Sequence, residues 1–500
     1  MKVEAVHRQA SQIPADVLAI GVFDGDATAD SPFAGTPLGL TLARLAEAKE
    51  GPKAVGEVLP LLGFDPGTGF LAPQSVVLFG LGKAEKFDAG AAYAAGVAVG
   101  KRLAAKKRAT VAVAVAGSPE VGGPPASSAL VAGMIVGTES AELRKAEPSR
   151  HAWETLVAVA PAGAGEAFDA AVNRGQILGE AINVARHLAN LPPAEKRPQA
   201  YAQHLLVLAE GYDLDATSWS EEQIRTERFG GLLGVAAGSD EPPAFVILEH
   251  KGGGDAPPLA LVGKGVTFDS GGLSLKPSAS MEDMKCDMTG SAVVAAALMA
   301  IARLDLPINV VGYLPITENM VNGRAMRLGD VLTMRNGKTV EILNTDAEGR
   351  LILADALAYA AERKPARIVD LATLTGACLV ALGPKVAGLC SNHDGLAAAV
   401  TVAAKQAGER TWRLPLDDDY LDLLKSTVAD LKNVGGKYGG AITAAKFLEQ
   451  FVDSTPWVHL DIAGPAWADS DSSTRDAGGT GCFVRTLVAL AEQMATPEQV

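Results

Sequence analysis

A chain of 500 residues is too long for one ordinary core, so two or more domains are expected. Hydrophobic residues make up 48% and charged residues 20%, a globular profile that excludes a disordered chain. The formal net charge of −14 argues against a general nucleic-acid or anionic-membrane partner.

The start, MKVEAVHRQASQIPADVLAI, has no positive segment followed by a continuous apolar one, so no signal peptide is expected. Strands are expected at Val3 to Val6, Val17 to Phe23, Val76 to Phe79, Thr110 to Val115 and Leu156 to Val159, with a helical run at Ala89 to Ala105. This alternation predicts an α/β domain over residues 1–165. Within it, SPEVGGPPASS reads as a surface loop. The run Lys101, Arg102, Lys106, Lys107 and Arg108 reads as a solvated helix face, with a nucleic-acid contact as the rival reading.

A long helical pattern from Gly165 to Leu188 stops at NLPPAEKRP, where consecutive prolines end it. Residues 166–195 therefore read as a connecting helix and linker. A second, larger α/β domain is expected over 196–500. Its strands fall at Ala244 to Leu248, Leu259 to Gly265, Ile308 to Pro315, Val340 to Leu343 and Ile368 to Leu374. The apolar stretch around Ala292 to Ile301 is shorter than the roughly 20 residues a bilayer requires. Cys286, Cys378, Cys390 and Cys482 are scattered, without metal or disulfide spacing, and read as thiols of a reducing, cytoplasmic protein.

Charge gathers in three loops of the second domain. NTDAEGR (344–350) brings Asp346, Glu348 and Arg350 to one turn between a strand and a helix. Taken alone, Thr345 and Glu348 also fit a capping box. VGKGVTFDSGGLSLKP (262–277) carries Lys264, Asp269 and Lys276 among glycines, and does not match a phosphate loop. In MEDMKCDMTG, Asp283 and Asp287 would share one face of a continuous helix, with Asp283 explained as an acid at its start. Carboxylates crowded in this way repel one another unless cations join them. Divalent metals meet that need, and three or four carboxylates suffice for two ions. His459 reads as a satisfied strand histidine, and neither a His-based zinc site nor a GxSxG serine nucleophile is present.

These motifs, with ENMVNGRAMRLGDVL, DLATLTGA, ADLKNVGGKYGGAITAAKFLEQF and HLDIAGPA, closely resemble those of the leucyl aminopeptidase family of dinuclear metallo-exopeptidases. The resemblance implies a smaller N-terminal α/β domain and a larger C-terminal catalytic α/β domain with a mixed central sheet. It implies two divalent ions, zinc or manganese. Lys264, Asp269, Asp287 and Glu348 would hold one ion, and Asp269, Asp346 and Glu348 the other. Lys276 and Arg350 would be the catalytic pair, Lys276 steadying an oxyanion and Arg350 holding a bicarbonate base. Met284, Thr373, Gly376, Ala463 and Ala466 would line the pocket for the substrate's first side chain, with Ala466 standing where other members carry a bulkier methionine. The substrates would be peptides with a free N-terminus, preferably leucine or another apolar residue, and the assembly a homohexamer. The rival readings are a dinuclear phosphoesterase and a secondary DNA-binding role; no membrane partner is expected.

Overall fold

Along Val17–Val22, Val17 and Ala19 turn to one apolar cluster while Leu18 and Ile20 turn to another. That alternation is what a strand buried on both faces of a sheet must show. The computed structural model describes residues 1–24, 37–61, 73–115, 123–161 and 163–496. It divides into two units, one of residues 1–183, 406–408 and 470–477, the other of the remainder. The division falls within a helix, Glu166–Asn190.

The first unit holds a six-stranded sheet. Its strands are β1 (Lys2–Val6), β2 (Val17–Val22), β3 (Val58–Leu61), β4 (Val76–Gly80), β5 (Thr110–Val115) and β6 (Thr155–Val159), in the order β1-β6-β5-β2-β4-β3. All neighbours are parallel except β3 and β4. Helices α1 (Pro37–Ala48), α2 (Ala89–Ala104), α3 (Pro124–Thr138) and α4 (Glu166–Asn190) accompany it. The loop expected over SPEVGGPPASS is corrected in its second half. Pro124 opens α3, where a proline's missing N–H costs no hydrogen bond; residues 118–122 lie outside the described residues. The basic run is partly engaged: Lys101 pairs with Asp476 at 2.6 Å, and Arg108 donates to the Leu103 carbonyl.

In the second unit the main sheet has nine strands. These are β7 (Asp215–Trp219), β8 (Ala244–Lys251), β9 (Leu259–Gly263), β10 (Gly265–Asp269), β11 (Asn309–Asn319), β12 (Arg367–Ala372), β13 (Ala387–Ser391), β14 (Thr411–Arg413) and β15 (Trp457–Asp461). The order is β14-β13-β15-β12-β9-β11-β8-β7, with β10 beside the far half of β11. The centre is parallel and the flanking pairs β11/β8, β8/β7 and β13/β15 are antiparallel, so the sheet is mixed, as expected.

Helix α5 (Thr289–Arg303) is buried from Thr289 to Ile301. The span Ser278–Arg303 is long and apolar enough to cross a membrane by composition, which the shorter run picked from sequence did not suggest, yet 89% of its most apolar window is inside the fold. It is a core helix. The span is not one helix, so Asp283 and Asp287 do not share a helical face: a short helix (Ser278–Met281) and a 3₁₀ turn (Met284–Cys286) precede α5. Helix α6 (Gly349–Glu362) is buried from Gly349 to Ala361. Its Asp355 carboxylate accepts the backbone N–H groups of Leu232 at 3.0 Å and Arg335 at 2.8 Å, tying α6 to the helix Gly230–Ala236 and to a turn.

Burial pushes the Asp355 carboxyl up to about 7, although these N–H bonds draw it down. Its folded-state pKa thus lies above the roughly 3.9 of an unfolded aspartate. The stability contributed by the bound proton is complete below about pH 4 and is lost as pH rises through about 7. We expect urea unfolding of the metal-free protein to show a larger loss of stability from pH 5 to pH 8 in the wild type than in Asp355→Asn. The difference should be on the order of 2 kcal/mol. Parallel curves for the two proteins would refute this role.

Candidate metal centre

β9 and β10 are one strand interrupted at Lys264. Both halves pair with the long strand β11, and between them the Lys264 backbone is fixed on both sides. Its N–H donates to the Leu371 carbonyl at 3.1 Å, and its carbonyl accepts from Ser291 N at 2.8 Å. The side chain, 4% exposed, is left to run along the carboxyl ends of the central strands. Its Nζ lies 2.7 Å from Asp287 Oδ1 and 2.9 Å from Glu348 Oε1, and donates to the Thr373 carbonyl at 3.0 Å. Room for this amine depends on Gly349, the first residue of α6. A Cβ at that position would lie 2.5 Å from Lys264 Cε and 2.7 Å from Nζ.

Asp269 ends β10 and stands opposite Asn319, the last residue of β11. Asn319 Nδ2 donates to Asp269 Oδ1 at 2.8 Å, and the Gly271 N–H donates to the same oxygen at 2.8 Å. The chain then turns through Gly271 and Gly272, with φ of +86° and +62°, conformations that suit glycine. That turn returns Lys276 to the acids: Nζ lies 2.8 Å from Asp269 Oδ2 and 2.5 Å from Asp346 Oδ1. Ser270 Oγ donates to the Asn319 carbonyl and accepts from Gly272 N, so it is part of the turn.

The NTDAEGR loop is held from two directions. Thr345 Oγ1 accepts from Ser274 N and donates to the Gly271 carbonyl, both at 2.7 Å. The capping-box reading is thereby corrected: Glu348 is the N-cap of α6, without a side-chain cap, and Thr345 is used to join two loops. On the other side, fully buried Asn433 accepts from Leu343 N and Asn344 N and donates to the Asn344 carbonyl at 2.6 Å.

Oxygens of Asp269, Asp346 and Glu348 lie within 4.8 Å of one another. Asp287 joins them through Lys264. Burial first, and then the neighbouring carboxylates, raise the pKa of Asp287, Asp346 and Glu348. Burial pulls the two lysines down, but the acids around them outweigh it, and both are raised. Ligation by Lys264 would therefore require its proton to leave as a cation arrives. Asp287 Oδ2 and Glu348 Oε2 are buried with no hydrogen-bond partner among the described residues. Oxygens so placed are costly unless a cation takes them. The donor set, four carboxylates and an amine, fits hard or borderline divalent ions.

Arg350 stands apart from the acid cluster. It is 7% exposed, Nη1 donates to the Asn433 carbonyl at 2.8 Å, and Nε has no partner among the described residues. Burial lowers its pKa to about 10, while Glu348 and Asp461 oppose the shift. Of the expected pocket residues, Thr373 belongs to the acid shell, its Oγ1 donating to Asp287 Oδ1 at 2.7 Å. Gly376 is exposed, Met284 and Ala463 are half-buried, and Ala466 has no solvent access.

Sequence reasoning missed three side chains. Asn319 and Asn433 position the loops as described. Asp461 accepts from Leu374 N, Thr375 N, Thr375 Oγ1 and Ala463 N, fixing the ends of β12 and β15 together. The signals were faint: an asparagine closing an apolar strand in ITEN, another in LKNVGG, and an acid inside an apolar strand in HLDIAG. His459 is only half satisfied. Nδ1 lies 2.6 Å from Asp370 Oδ1, and Nε2 has no partner among the described residues. All four cysteines are free, three buried and Cys482 half-buried.

Residues 183–488 match the model of the cytosol aminopeptidase family, catalytic domain. A probable cytosol aminopeptidase of Solibacter usitatus is 42% identical over 98% of this chain and 99% of its own. One from Rhodopirellula baltica is 48% identical over 85% of this chain and 82% of its own. Among solved structures, a mutant of tomato leucine aminopeptidase superposes with a TM-score of 0.85 at 34% identity, covering 98% of this chain and 96% of that one. The bottromycin maturation enzyme BotP in complex with Mn gives 0.83 at 35%, covering 96% and 100%. The chain belongs to the cytosol aminopeptidase family and is a metal-dependent exopeptidase, a hydrolase of the leucyl aminopeptidase type.

Proposed function

We propose that the enzyme releases N-terminal leucine and other apolar residues from peptides, using two divalent ions held by Lys264, Asp269, Asp287, Asp346 and Glu348. The observation that carries this reading is the convergence of two loops on Asp269, Asp346 and Glu348, whose oxygens lie within 4.8 Å, with Asp287 of a third loop joined to them through Lys264 and lysines as their only close cations among the described residues. Asp269 and Glu348 would be shared by both ions. Zinc and manganese both suit the donors, and BotP was solved with Mn. When bound, the ions would polarise the scissile carbonyl and make a water acidic enough to attack near neutrality.

The chain's own groups supply the remainder. Asp287 Oδ2, buried and unpaired, would accept an N–H from the substrate's free α-amine, so cleavage starts at the terminus. The Lys276 ammonium, kept charged by Asp269 and Asp346, would donate to the oxygen on which negative charge develops. Arg350, with Nε unengaged, would hold a small anion such as bicarbonate as proton acceptor. Met284, Thr373, Gly376 and Ala463 would border the first side chain, with Ala466 behind them. The exposed apolar residues Leu275, Val380, Trp412 and Tyr438 support an assembly of several copies, for which we propose the homohexamer. The free thiols support a cytoplasmic setting. A carboxylate-held metal pair would also serve a phosphoesterase, which, unlike the enzyme proposed, would show no requirement for a free amine.

Three outcomes are expected. Leucine anilide should be cleaved and its N-acetyl counterpart left intact; chelation should abolish cleavage, and manganese or zinc should restore it. Equal cleavage of both substrates would remove the amine-binding role of Asp287. Lys276→Ala should lower kcat by roughly 10²-fold with metal content unchanged, and an unchanged kcat would take Lys276 out of the mechanism. Glu348→Gln should lose both metal, by elemental analysis, and rate. Retention of both ions would contradict the shared-ligand assignment.

A further inference from the structure

The first unit contains a cavity that the peptidase chemistry does not use. It measures about 400 Å³, within the range of small-molecule sites. It lies where the carboxyl ends of β1, β5 and β6 meet the first turns of α3 and α4.

Its position follows from the topology. β1 and β6 are adjacent and parallel. The chain leaving β1 packs Ala10, Ile13 and Ala15 into the cluster containing Leu18 and Ile20. The chain leaving β6 packs Phe168 and Val172 into the cluster containing Val17 and Ala19. Because Val17 and Leu18 face opposite sides of the sheet, the two connections diverge to opposite faces. Between them a crevice opens at the carboxyl edge, the place where open α/β sheets bind ligands.

The lining is apolar at depth and cationic at the rim. Leu130, Val131, Ala158 and Phe168 form the floor. At the rim His7 is occupied: Nε2 lies 2.7 Å from Asp169 Oδ1, and the ring meets Phe168 edge-on. The next residue, Arg8, is exposed, borders the cavity and has no partner among the described residues. An apolar floor beneath an unengaged guanidinium fits a ligand with a matching division of character.

We infer that this cavity is a second binding site, separate from the metal centre, for a small organic anion. The ligand's apolar body would fill the crevice and its anionic group would pair with Arg8. The inference does not depend on the proposed substrate preference or on the number of metal ions.

The test is a fluorescence titration of the metal-loaded enzyme with two dyes, anilinonaphthalene sulfonate and phenylnaphthylamine, which share their rings but not the sulfonate. The wild type should bind the sulfonate dye saturably at one site per chain. Arg8→Gln, a change at an exposed side chain, should weaken the sulfonate dye about tenfold and leave the neutral dye unaffected. Ala160→Phe, which fills the crevice from the segment after β6, should abolish both. Both variants should retain aminopeptidase turnover, which verifies their folding. Three results would overturn the inference: no saturable binding, equal affinity for the sulfonate dye in Arg8→Gln and wild type, or undiminished binding in a folded Ala160→Phe.

Discussion

Four carboxylates are gathered at one edge of the sheet, Asp269, Asp287 and Glu348 buried and Asp346 half-buried, and their mutual repulsion is the condition that the catalytic unit must satisfy. Without compensation they would take up protons or the loops would part. Lys264 spans Asp287 and Glu348, and Lys276 spans Asp269 and Asp346, so each lysine bridges acids from different loops. The same electrostatic strain makes the site receptive to divalent cations. Neutral partners complete the arrangement. Asn319 and Asn433 bring donors and acceptors without adding charge, fixing Asp269 and the turn that carries Asp346 and Glu348.

Topology turns this local problem into a precise one. The acids come from a strand end, a 3₁₀ turn and the entry to a helix, separated by up to 79 positions between Asp269 and Glu348. They meet because the parallel centre of the sheet delivers several carboxyl ends to one edge. The first unit places its cavity by the same rule, at an edge where two connections part. One sheet architecture thus offers a carboxylate-rich opening in one unit and an apolar, cation-rimmed one in the other.

The sequence made much of this legible, and its failures have physical causes. The strands Thr110–Val115 and Val76–Gly80 announced themselves as uninterrupted β-branched and apolar runs. The mixed α/β class followed from alternation of such runs with alanine-rich stretches. Pro124 misled because proline signals both a loop and the first turn of a helix, and only the buried residues after it decide. Thr345 misled because its spacing to Glu348 fits a capping box, while a loop 71 residues away in sequence supplied better partners, beginning with Ser274. Chemistry-bearing residues crowded in short motifs could be picked out. Asn319, Asn433 and Asp461 could not, since each is a single polar residue in an apolar context, and its value depends on a strand register that only the fold supplies.

Gly349 has a consequence for engineering. Glycine costs a helix roughly 1 kcal/mol relative to alanine, and a survey for stabilising surface or helix replacements would single it out. Yet the volume that its missing Cβ leaves is occupied by the Lys264 amine. Here thermostability and chemistry compete for one methyl group's worth of space. A variant hardened at this position would fold more willingly as a helix, while the amine would be driven out of the only slot that brings it between Asp287 and Glu348.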